Sequence, residues 1–156
     1  MSKSLARVRA ALAAAGEAAP VLEMPDSTRT AAEAARAAGC LLDQIAKSII
    51  FRGEESGHVL LFLTAGGNIV DAAKAAALAG EPLGKADAAL VRAETGFAIG
   101  GVAPVGHLRP PRAFFDPRLG DFAQVWAAAG TPRHIFAIAP DRLLVLTGAV
   151  TGDFVA

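Results

Sequence analysis

The chain predicts a mixed α/β fold: one domain, residues 1–156, built on a mixed sheet that curls toward a barrel and is surrounded by helices. Three observations lead there. A length of 156 residues with 53% hydrophobic content suits one compact domain that buries roughly 70% of its unfolded surface. Apolar runs of strand length alternate with segments of helical period. Some successive strands are joined by short turns, as in hairpins, and others are separated by helices, a mixture that belongs to a mixed sheet.

The elements follow in order. Residues 2–15 read as a helix with Leu5, Val8, Leu12 and Ala15 on one stripe, stopped by Gly16 and Pro20. A short strand at 21–24 comes next. Thr30-Ala31-Ala32-Glu33 has capping-box spacing, so a second helix runs to Ala38 with Gly39 as its stop. Lys47–Arg52 and His58–Thr64 read as a hairpin across Gly53–Gly57, and the second run, apolar at nearly every position, predicts a central strand covered on both faces. Asn68 is expected to cap a helix ending at Gly80, and Asp87 to cap one ending at Gly96.

GFAIGGVAPVGH, residues 96–107, is expected to begin as a strand and break at Gly100-Gly101. A short strand at 113–115 sits in a proline-rich connection. Phe122–Ala127 should pair with His134–Ile138 across Ala129-Gly130-Thr131-Pro132, followed by a helix near 141–146 and a tail strand at 149–154. No internal repeat or low-complexity linker interrupts this order.

Composition narrows the function classes. Fifteen basic residues balance fifteen acidic ones, so net charge announces neither a nucleic-acid nor a membrane partner, and neither excludes a tRNA ligand. The single cysteine, Cys40, cannot form an intramolecular disulfide, which fits a reducing, cytoplasmic setting. Arg7 and Arg9 break the apolar part of the N-terminal segment, which reads as an amphipathic surface helix rather than a signal peptide. No apolar run approaches the roughly 20 residues that span a bilayer.

Nor do the motifs give a conventional hydrolase. The three histidines, at 58, 107 and 134, share no zinc spacing with one another or with Cys40. There is no G-x-S-x-G elbow and no P-loop. Lys47 and Ser48, neighbours on a strand, point to opposite faces and cannot form a dyad. Cys40, beside Leu41-Leu42, reads as a buried structural thiol rather than a nucleophile.

Two features remain. Lys47 shares a face with Ile49 and Phe51; it either looks into a cleft, where an ammonium suits a phosphate or carboxylate, or snorkels to water from the strand end. Gly100-Gly101 with Pro104 forms either a corner that closes the sheet or a loop whose main-chain amides meet a ligand and stabilise an oxyanion. His107 beside it is open to acid–base chemistry or to a hydrogen-bonded structural role.

TAAEAA at 30–35, KSIIF at 47–51, TGFAIGGVAPVGH at 95–107 and AGTPR at 129–133 occur in the order seen in the YbaK family, which the chain resembles over nearly its whole length. That family includes free-standing relatives of the editing insertion domain of bacterial prolyl-tRNA synthetase. The resemblance implies the editing-domain fold and a deacylase that hydrolyses the ester between a wrong amino acid and the terminal adenosine of a tRNA. It implies roles as well: Lys47 at the acceptor end, and the Gly100–Pro104 loop framing the aminoacyl group. Phe51, Ile99 and Val102 are the expected pocket lining, with Pro104 and His107 also at the substrate. The resemblance further implies that the substrate's own ribose hydroxyl or side chain assists the attacking water.

No metal or organic cofactor is implied. The expected partner is the acceptor end of a charged tRNA, with an aminoacyl-tRNA synthetase or elongation factor as the candidate helper. A non-catalytic binder of aminoacyl-tRNA or a nucleotide-linked ligand is the reading from a different class. Sequence-specific DNA binding is not expected, because no helix-turn-helix pattern with a basic recognition helix is present.

Overall fold

The capping signals are realised nearly as written. In the computed structural model, which describes residues 2–156, α1 spans Lys3–Ala14; the Ser2 hydroxyl accepts from the Leu5 N–H at 3.0 Å, and Leu5, Val8 and Leu12 are buried. α2 (Ala31–Ala38) carries the full Thr30–Glu33 capping box and ends on a left-handed Gly39. α3 (Ala72–Ala79), α4 (Ala88–Thr95) and α5 (Pro140–Thr147) also end on left-handed glycines.

Asn68 is not the cap expected for α3. Asp71 is, accepting from the Lys74 N–H at 3.0 Å. The chain first turns out of the sheet and pairs Val70 with Val155, while Asn68 donates to the Asp116 carboxylate at 2.8 Å. Its side chain is therefore spent on the sheet rather than on the helix.

Among the described residues, eight strands form two sheets: β1 (Val21–Glu23), β2 (Ala46–Gly53), β3 (Val59–Ala65), β4 (Leu83–Gly84), β5 (Arg112–Phe115), β6 (Val125–Ala128), β7 (His134–Ile138) and β8 (Val150–Thr151). One has the order β4-β2-β3-β5-β8, antiparallel at β4-β2-β3 and parallel at β3-β5-β8; the other is antiparallel β1-β7-β6. β3 is buried at every position, as a strand covered on both faces must be. A single bridge between Ile45 and Trp126 brings the two sheets together. The five-stranded sheet thereby curls into a half-barrel.

Both faces of this sheet carry apolar cores. The larger gathers Val8, Leu61, Leu63, Phe97, Phe136 and Leu143; the smaller, on the α3 side, gathers Leu60, Phe62, Phe114 and Phe154. Phe62 stacks on Phe114 with ring centroids 4.7 Å apart. Truncating a fully buried phenylalanine such as Phe62 or Phe97 would cost about 3–5 kcal/mol.

Three strand expectations change. No strand occurs between Gly96 and Pro111, because Gly96, Gly100 and Gly106 adopt positive φ angles that no ladder accommodates. Phe122 lies outside β6, at the end of a 3-10 turn over Pro117–Asp121. The tail strand shrinks to β8, since β5 is only long enough to pair with two of its residues. Among the described residues, no helix is long and apolar enough to cross a membrane.

Candidate functional site

A cavity of about 500 Å³ opens where the half-barrel fails to close. Its floor is β2, residues 46–50; its walls are β6 with Trp126 and Ala128, α2 with Ala31 and Ala34, Val91 of α4, and Ala86 just before that helix. Trp126 and Ala128 alternate with buried Val125 and Ala127, so the half-buried face of β6 is the one that looks into the cavity. The loop before α2 adds Arg29 and Thr30, and the glycine-rich segment adds Ile99, Gly100 and Val102. Most of the lining is apolar, with a few polar groups at defined positions, as ligand cavities usually are.

Its electrostatics have one sign. Arg29, Lys47 and Lys85 are the charged side chains in the lining, and no carboxylate is among them. Arg29 and Lys85 are exposed at the rim, and neither enters an ion pair with the described residues. Lys47 is half-buried; its ammonium donates to the Gly66 carbonyl at 3.2 Å. Burial pushes its pKa down, against the pull of Asp43 and Asp116. Asp43 is held below the usual carboxylate range, chiefly by its hydrogen bond from Arg118 at 3.1 Å and despite some burial, with the Gly67 N–H and the Lys47 charge adding to it. Lys47 thus stands at the end of a short charged chain that ties the Leu42–Gln44 turn to the end of β3.

Of the residues singled out in the sequence, Lys47, Ile99, Gly100 and Val102 meet at this cavity. Phe51 does not: it points to the α3 side of the sheet and packs edge-on against Phe62, 5.6 Å between centroids. Gly101 lies behind the wall, beside Gly130 and Thr131, with its N–H donating to the Ala98 carbonyl at 3.0 Å. Pro104 and His107 line a separate groove with α1 and α5. There the His107 Nε2 donates to the Ala103 carbonyl at 2.6 Å, its ring stands edge-on to Phe97, and burial lowers its pKa despite the bond to Ala103.

The glycine-rich segment is held in place from outside. Arg7 of α1 donates to the Gly96 and Gly106 carbonyls and lies 5.2 Å from the centre of the Phe97 ring. Phe97 itself is fully buried. Cys40 packs half-buried near Ala34, Ala35 and Ile45, and desolvation raises its pKa, which suits an inert thiol.

Several lining residues carried no readable signal. Trp126, Arg29, Lys85, Ser48 and Ile50 sit on different elements, and only the pairing of the two sheets brings them together. Ser48 and Ile50 alternate with Lys47 and Ile49 along β2, and all four border the cavity, so the period-two rule alone does not single them out.

The comparisons with known proteins agree with this geometry. Residues 25–146 match the aminoacyl-tRNA editing domain. YwhH of Bacillus subtilis (strain 168) is 33% identical over 123 residues, covering 79% of this chain and 78% of that protein. A solved structure of a candidate trans-editing enzyme for prolyl tRNA synthetase is 48% identical, with a TM-score of 0.92 over 100% of this chain and 99% of the other. The hypothetical protein APE2540 superposes with a TM-score of 0.87 at 29% identity, covering 96% of this chain and 99% of the other. This chain belongs to the aminoacyl-tRNA editing domain family, and its half-barrel with helices is the fold of those structures.

Proposed function

We propose, with membership of the editing family as the premise, that this protein is a deacylase that hydrolyses the ester of mischarged tRNA in trans. The substrate we favour is tRNA-Pro carrying a small wrong amino acid. The observation that carries this reading is the cavity itself: about 500 Å³, mostly apolar, with a rim of positive charge. Such a space suits a small aminoacyl group on a terminal nucleoside, while the body of a tRNA stays outside. Arg29 and Lys85 at the rim offer charge to the phosphates that lead to it.

Among the described residues no nucleophile–base pair lines the cavity, so the proposed chemistry rests on positioning. Water attacks the ester carbonyl with help from the neighbouring ribose hydroxyl, and the carbonyl oxygen takes up the negative charge. Of the two amides at the glycine pair, that of Gly101 is spent on Ala98, and that of Gly100, at the cavity, makes no hydrogen bond within the described residues. Gly100 is therefore the amide we assign to the developing oxyanion. Lys47 supplies positive charge at the β2 end of the cavity, toward the acceptor end.

Incubation with tRNAs mischarged with alanine, serine, threonine or cysteine, followed for ester loss, tests the reading. Hydrolysis of at least one small aminoacyl ester is expected, and Lys47→Ala should slow it by about a hundredfold while leaving a cooperative fold. Tight binding without ester loss would replace the deacylase by a binder.

A further inference from the structure

Two residues of the cavity floor, Ser48 and Ile50, present main-chain groups that have no partner among the described residues. The hairpin register pairs Ala46–Arg52 with Ala65–Val59, and one rung beyond it the Gly53 N–H donates to the His58 carbonyl at 2.9 Å. In an antiparallel ladder the hydrogen-bonded rungs alternate. Phe51, Ile49 and Lys47 therefore direct their N–H and C=O groups at β3, and Ile50 and Ser48 direct theirs the other way. The far side of β3 obeys the same alternation: the Leu63 carbonyl accepts from Asp116 and the Val59 N–H donates to Glu94.

On the outer side of β2, pairing with β4 covers only Arg52 and Gly53, and the bridge to β6 begins at Ile45. Between these points no hydrogen bond from the described residues reaches the main chain of Ser48 or Ile50. Both residues line the cavity. The Ser48 hydroxyl is also buried and unpartnered, whereas the Thr28 and Thr30 hydroxyls are bonded to Pro132 and Glu33. Buried polar groups of this kind are rarely left unmatched when a site is filled.

What they would match follows from the charge of the lining. An aminoacyl ester brings an α-amino group, a hydrogen-bond donor whether protonated or not, into a cavity whose charged side chains are all cationic. With no carboxylate to receive it, the acceptors on the β2 edge are the carbonyls of Ser48 and Ile50 and the Ser48 hydroxyl. We propose that this free strand edge is the receptor for the substrate's α-amino group, so that the site takes esters with a free amine and discriminates against esters without one. This rests on the deacylase reading and deepens it.

The test uses one tRNA charged with alanine, with N-acetylalanine and with propionate, each enzymatic rate divided by that ester's uncatalysed hydrolysis. Propionate has nearly the size of alanine and lacks only the donor. Both modified esters are expected to lose tenfold or more relative to alanine, the scale of one hydrogen bond to a charged group. Equal corrected rates for alanyl and propionyl esters would overturn the proposal. If no ester is hydrolysed, the deacylase reading fails instead. Ser48→Ala keeps the carbonyls, so it should retain most of the alanyl-over-propionyl preference; loss of that preference would overturn the main-chain assignment.

Discussion

The glycine-rich segment at 96–107 and strand β2 lie on the same cavity, yet they advertise themselves in opposite ways. The segment is conspicuous, with four glycines and a proline, but only Ile99, Gly100 and Val102 of it reach the cavity. β2 reads as an ordinary strand, and five consecutive residues of it, Ala46–Ile50, form the floor. Irregular sequence reports where the backbone bends. Unpaired edges, where polar main chain is left for a ligand, have no residue type of their own. On the proposed reading, much of the segment is scaffold and the strand carries recognition.

The largest test of that division adds volume to the cavity without touching the segment. Ala128→Phe places a ring on the half-buried face of β6 that looks across at β2. Hydrolysis of the best substrate should fall by about a hundredfold, with stability within about 0.5 kcal/mol because the site is not part of the core. Bulkier aminoacyl groups should suffer more than alanine. Single-turnover deacylation alongside thermal melting checks this, and unchanged rates would mean that the cavity is not where the ester sits.

On the segment, Gly106→Ala should do the reverse. Gly106 has a φ of +80°, and an added β-carbon would come within 3.0 Å of the Arg7 carbonyl group on α1. A side chain forced into that conformation costs about 1–3 kcal/mol. Denaturant unfolding should show the loss, and the activity of the remaining folded fraction should match the parent. A folded variant with impaired chemistry would return Gly106 to the site.

Why the sequence divided these roles imperfectly is visible residue by residue. Helix caps such as Thr30–Glu33 and the burial of β3 are local or periodic signals, and they were legible. Lys47 stood out because a lysine inside an apolar strand is unusual, but the pattern left it open between a cleft and water, and its role came from the family resemblance. Ser48, its neighbour, was passed over as a failed dyad partner, and Trp126 because nothing local says that β6 closes against Ile45. Phe51 was expected at the cavity because it shares a face with Lys47 and Ile49, but the lining of β2 stops at Ile50 and Phe51 packs against Phe62 instead. The glycine pair at 100–101 was open to a close-approach reading, but the close approach to another backbone falls at Gly106 and not at Gly101.

A smaller effect concerns the charged chain behind Lys47. Because the Asp43 carboxyl is held low chiefly by Arg118, its contribution to stability is present above the ordinary carboxylate pKa and is lost as pH falls through its depressed folded value. Asp43→Asn should therefore shrink the loss of stability on the acid side of that range, by an amount on the order of 1 kcal/mol or less for a partly exposed pair. Melting curves of parent and variant from neutral to acid pH measure it. Identical acid slopes would show that Asp43 does not hold Arg118 in solution.

The smallest expected effect is the sharpest for the comparison. Gly101 has no positive φ, and a β-carbon there would rest 3.6 Å from Thr131, ordinary van der Waals contact. Its N–H bond to Ala98 does not involve the side chain and survives substitution. Gly101→Ala should thus change stability by no more than about 0.5 kcal/mol, and hydrolysis by less than about twofold, since the residue faces Gly130–Thr131 and not the ester. Folded fraction and single-turnover rate, measured on the same samples, decide it. A large loss of rate in a fully folded variant would mean that the second glycine reaches the ester after all, and would move part of the recognition from the edge of β2 back to the loop.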